Sequence, residues 1–187
     1  QYNPDTLSRT LQVQGAGEGG DRSEVLRLKG PAVETIKLEA EIDAADQLEF
    51  PDRHASHVQF GIQPQIAALE ALINPASADL LAAEGLASMG TLEIAPAEAP
   101  LALFVWSKQR IVAVRITDFS VTEEAFDPDL NPLRAKVSLG MRVLSVNDVG
   151  FSHKAGLLFM GHLQNKERLA GKAPGGELAS LGLGGIP

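Results

Sequence analysis

The chain has 187 residues, 44% of them hydrophobic, enough to bury one sizeable core with room for a small appendage. Its 24 acidic residues outweigh 16 Lys and Arg to leave a formal charge of -8, and the basic residues form no run, which argues against a nucleic-acid partner held through phosphate contacts. Cysteine is absent, which excludes disulfides, thiolate metal sites and a cysteine nucleophile, and no stretch nears the roughly 20 apolar residues of a membrane-spanning helix.

The start is polar, without a charged cap leading into an apolar run, so direct membrane insertion is not expected; Gln1 is not an initiator Met, so residues are expected before it. Residues 7–14 read as a strand. It leads into "GAGEGG", where Gly15, Gly17 and Gly20 have the dinucleotide-binding spacing. That fingerprint needs a helix next, to receive a pyrophosphate at its N-terminus. The segment after the glycines is short, ends in Gly-Pro and reads as a second strand over 25–29, so the glycines are expected at a hairpin tip and no cofactor is assigned.

Over 35–42, Ile36, Leu38, Ala40 and Ile42 alternate with polar residues, the period of a half-buried strand. "PDRHASH" then brings Asp52, His54 and His57 close in sequence, a set able to hold iron or zinc, although nothing supplies a fourth ligand or an orienting shell. A solvated loop is the expectation there. Ile62, Ile66, Leu69, Leu72 and Ile73 fall at helical spacing until Asn74-Pro75 stops the run, and a short helix is expected over 77–83. The Ala/Glu/Pro stretch 94–100 reads as a linker.

Further strands are expected at 101–106 and 110–122. In the second, Val112, Val114 and Ile116 share one face whereas Phe119 and Val121 have the opposite parity, which predicts a bulge near Asp118. Residues 133–143 form the longest clean alternation. Between these arms, Asp127, Asp129 and Asn131 are spaced like the first ligands of a calcium loop, but Pro132 stands where that loop needs Gly and Ser138 where it needs Glu. Asp-Pro and Asn-Pro favour a turn, so a hairpin connection without metal is expected. A helix over 153–169 presents Leu158, Phe159 and Leu163, and a Gly-, Ala- and Leu-rich tail runs to Pro187. No nucleophile elbow or phosphate loop occurs, and the chain is not expected to be an enzyme.

The stretch "LALFVWSKQRIVAVRITDFSVTEEAFDPDLNPLRAKVSLGMRVL" resembles the tube-type proteins of contractile injection systems, the phage-tail-like particles that some bacteria build. The order carries the resemblance: Leu103 to Trp106, a long strand, Phe126-Asp127-Pro128-Asp129, then Pro132-Leu133-Arg134-Ala135 opening the last strand. "QYNPDTLSRT" and "VETIKLEAEIDAAD" are similar to the family's first two strands. Ser107 replaces a frequent Gly, and Leu130-Asn131 replaces a Gly-containing turn.

This likeness, which covers about residues 1–147, implies a mainly β, α+β fold: a tail-tube-like antiparallel sandwich or partial barrel with a side helix, followed over 148–187 by a helical extension and tail. It also implies a homo-hexameric ring at the base of the inner tube, contacting spike hub, inner-tube and baseplate proteins and assembled in the bacterial cytoplasm. The abundant inner-tube subunit is the alternative within the family; a metal enzyme using Asp52, His54 and His57 is the alternative outside it. Several relatives carry a wall-binding LysM module, of which no pattern occurs after Val146. Candidate assembly residues are Trp106, Phe126, Asp127, Arg134, Lys136, Arg142, Phe159 and Leu163. The C-terminal helix and tail are expected to dock on neighbouring baseplate proteins, so that truncation at Val149 stops assembly without unfolding the domain.

Overall fold

The structure, a computed structural model, describes residues 4, 6–15, 26–90 and 98–173. Alternating apolar residues lay down five strands among them: β1 (Leu7–Gln12), β2 (Val33–Asp43), β3 (Ala102–Ser107), β4 (Arg110–Phe126) and β5 (Pro132–Val143). All pair antiparallel in one curled sheet of order β1-β2-β5-β4-β3, a half-barrel rather than two packed sheets. Register follows the apolar phase, because a slip by one residue would turn every core side chain to the other face. Ile36 stands opposite Met141, and Met141 opposite Ile116; Ala40 stands opposite Val137, and Val137 opposite Val121. The expected bulge lies between Ile116 and Asp118, and it returns Phe119 and Val121 to the face that Val114 and Ile116 occupy.

Helices cover that face at two places. At one, α6 (Lys154–Ala170) buries Ala155, Gly156, Phe159 and His162, an i, i+3/i+4, i+7 stripe, with Phe159 packed against Ile36, Val112, Met141 and Val143. The C-terminal helix is therefore part of the core rather than an appendage. Its approach is prepared by α5 (Val146–Val149), whose N-cap Ser145 and Asp148 form a reciprocal capping box. At the other place, Ile62 and Ile66 pack with Ala44 and Ala135.

Several expectations are corrected. The segment carrying Asp52, His54 and His57 is not an open loop: after α1 (Ala45–Leu48) it forms a 3-10 turn (Pro51–Arg53) and then α2 (Ala55–Phe60), with His57 inside the helix. The next helix, α3 (Gln63–Glu70), is separated from α2 by Gly61, whose φ of 56° and tight contact with the Pro132 carbonyl leave no space for a Cβ. The short helix expected over 77–83 continues as α4 (Ser77–Ser88). No strand forms at 26–29, where an isolated bridge joins Leu28 to Gly15. Gly17, Gly20, residues 94–97 of the expected linker and the tail beyond Ala173 lie outside the described residues.

Candidate functional site

Among the described residues, sheet order leaves β1 and β3 with one unpaired side each. β3 is unusual for an exposed edge because it carries no charge. Leu103 and Val105 are 46% and 64% exposed on one face, while on the other Phe104 packs against the core and stacks on Trp106 with ring centroids 5.9 Å apart. Edge strands normally carry Lys, Pro or a bulge that prevents pairing with another chain. This one has only the register shift between Val105 and Ser107.

Beside β3, the helix-covered face holds a trough of about 700 Å³. Its lining includes Leu38, Ala40, Val137 and Leu139 from the sheet, Leu69 from α3 and Trp106 from β3. The side-chain oxygens of Gln47 and Gln65, which also line it, are buried and lack a hydrogen-bond partner among the described residues. Gln65 Nε2 lies 2.7 Å from His57 Nε2, so this histidine is held within the helical layer. The described residues contain no group of three or more His, Asp or Glu arranged to hold a metal, and Asp52, His54 and His57 do not form one.

The opposite face of the hairpin is polar and internally paired. Glu124 accepts a 2.9 Å hydrogen bond from Lys136 and lies 3.4 Å from Arg134. The Lys136 bond holds the Glu124 carboxyl below its ordinary range, burial opposing and the lysine and arginine charges adding to it. Arg142 donates to Asp148 at 2.6 Å. Burial raises the Asp148 carboxyl, yet the Ser145 backbone and hydroxyl donors and the Arg142 charge outweigh it and leave it lowered. Arg134, Lys136 and Arg142 thus share the outer face, and each has a partner in its own chain.

At the hairpin end, Asp127 gathers the expected turn. Its Oδ1 accepts from the backbone N–H of Asp129 at 2.9 Å and of Asn131 at 2.8 Å, and its Oδ2 accepts from Asn131 Nδ2 at 2.8 Å. The Asn131 amide, together with these backbone donors, lowers the carboxyl's proton affinity. These bonds occupy the carboxylate as a turn former, an Asx-type role. Asn131 also reaches the Gln59 carbonyl, and Ile62 N–H donates to Pro132 O at 2.8 Å, tying the base of the hairpin to α2 and α3. Phe126 sits exposed beside this base, whereas Phe159 and Leu163 lie under α6, against the sheet.

One constellation went unread in the sequence. Glu34 is 4% exposed and is held between Arg9 of β1, at 2.6 Å, and Lys166 of α6, at 2.9 Å. Burial raises its carboxyl, but the two hydrogen bonds and charges prevail and lower it. Its signal was its phase: Glu34 falls on the same strand parity as Ile36 and Leu38.

No helix among the described residues is long and apolar enough to cross a membrane. Compared with protein-family models and with curated proteins, the chain gives no match.

Proposed function

We propose that the chain is a structural subunit of a phage-tail-like contractile injection system, forming a hexameric ring at the base of the inner tube that joins the tube to the spike hub and baseplate. The observation that carries this reading is a curled antiparallel sheet whose β3 edge is apolar and uncharged. A lone subunit with such an edge is prone to uncontrolled pairing, whereas a closed ring gives every edge a neighbour. The trough beside that edge supplies further apolar surface for a neighbour, and the order of strands and hairpin is the one in which the chain resembles tube-type proteins. In this role Trp106 and the outer face of β3 meet the adjacent copy, and the paired charges of Arg134, Lys136 and Arg142 set the polarity of the ring wall.

Electron microscopy of producing cells with the gene intact and deleted tests the reading. Deletion should abolish sheathed particles or leave only unattached sheath, and complementation by Val105→Thr should restore them where Val105→Lys does not. Complete particles in the deletion strain would overturn it. Stoichiometry in purified particles, one ring against many, separates this role from that of the abundant inner-tube subunit.

A further inference from the structure

We propose that the tip of the β4–β5 hairpin of one copy seats Leu130 in a pocket between the β3–β4 turn and α6 of a second copy, with Asp129 facing the pocket's lysines. The tip is built against its own interest as a free turn. Leu130 is 76% exposed and has a φ of 66°, a left-handed conformation that disfavours any residue with a Cβ and that Gly or Asn adopts at less cost. The Leu130 N–H closes the turn on the Asp127 carbonyl at 3.0 Å, but its side chain is left largely in solvent among the described residues, and such outliers persist where a side chain has a task elsewhere. The three hydrogen bonds into Asp127 and the ties from Asn131 and Pro132 to α2 and α3 hold this tip in place. The knob is thus preformed.

The pocket has the complementary chemistry. It measures about 420 Å³ and is lined by apolar Ile111, Leu157 and Leu158, by exposed Lys108 and Lys154, and, among the described residues, by no acidic one, in a chain of net charge -8. His162 lines it too. That side chain is more than nine-tenths buried, and neither ring nitrogen has a hydrogen-bond partner among the described residues. Leucine with a neighbouring carboxylate is the group this lining accepts: apolar contact for the side chain and cations for Asp129.

Tip and pocket lie at opposite ends of β4, whose length from Arg110 to Phe126 corresponds to about 50 Å of extended chain. A copy's own tip therefore cannot enter its own pocket. The contact joins unlike patches on successive copies, so it propagates head to tail, as a ring or a stack. It shares with the proposed function only the premise of self-association.

The cysteine-free chain allows a direct test. Leu130→Cys in one tagged copy, mixed with Leu157→Cys in another and oxidised, should give a disulfide-linked heterodimer well above the yield with Leu81→Cys on α4. In sedimentation, Leu130→Asn should weaken self-association roughly tenfold or more while the melting temperature holds or rises, and Lys108→Glu with Lys154→Glu should weaken it likewise. Crosslinking no better than the Leu81 control, or undiminished association of Leu130→Asn, would overturn the contact and leave the ring standing. A wild-type chain that stays monomeric throughout, with no crosslink, would overturn both.

Discussion

His162 places an ionisable ring in the apolar stripe of α6, and its surroundings decide its charge. Burial lowers its proton affinity below the ordinary 6.5, and Lys166, Arg9 and Arg110 push the same way against the opposing pull of Glu34. Unfolding frees the ring to protonate at its ordinary value, so below that value the unfolded chain binds more protons than the folded one. Stability contributed by the neutral ring is therefore full above pH 6.5 and is lost as pH falls from there towards the lowered folded value, at no more than about 1.4 kcal/mol per pH unit. Thermal melts of wild type should show a falling melting temperature between pH 6.5 and 5, and His162→Leu should flatten that part of the profile. An unchanged slope in the variant would show that other groups carry it. The lowered carboxylates of Glu34, Asp148 and Asp127 act in a separate window below about pH 4.5, because their stabilisation is lost only as acid protonates them.

Elements were legible where the signal was local. The parity switch between Ile116 and Phe119 marked the bulge, and Asp127 with Pro128 and Pro132 marked the turn, since both depend on neighbours in sequence. Gly61 was not legible. What requires glycine there is the carbonyl of Pro132, far along the chain, and a backbone φ of 56° that the helix break imposes. Gly61→Ala should cost about 3 kcal/mol or more, combining the strained conformation with a collision at the first residue of β5, and chemical denaturation would measure it. A loss under about 1 kcal/mol would mean that α2 and α3 shift freely over the hairpin base. The short α2 was missed for a related reason: its six residues (Ala55–Phe60) lack an apolar periodicity of their own and gain support from α1 and the 3-10 turn.

For the whole molecule, α6 changes what the C-terminal part does. Truncation at Val149 removes Ala155, Phe159 and His162, uncovers Val112, Val114, Met141 and Val143, and strips Lys166 from Glu34. Burial of such side chains is worth about 1.5–3 kcal/mol each, and total stability of a domain is about 5–15 kcal/mol. The truncated chain should consequently lose its cooperative melt, whereas truncation after Ala173 should retain it. A folded product from the first truncation would place α6 outside the core. Any assembly defect that accompanies loss of α6 is thus to be read first as a defect of folding, and only the truncation after Ala173 isolates the segment beyond it.

By itself the sequence determined the five strands that form and their facing residues, though not the absence of a strand at 26–29, because alternation at a period of two is written into neighbouring side chains and one buried face suffices to set register. It also determined the turn at Asp127, since Asp-Pro and Asn-Pro spacing is local. Tertiary structure alone decided that the strands form one curled sheet, that α6 closes the core, and that Glu34 finds its two cations in β1 and α6. Those outcomes depend on residues far apart in the chain and on the competition among faces for burial, which no local period records. The knob at Leu130 and the pocket at Lys108 and His162 belong to the same class: each is an ordinary stretch of sequence until the fold sets one at either end of β4.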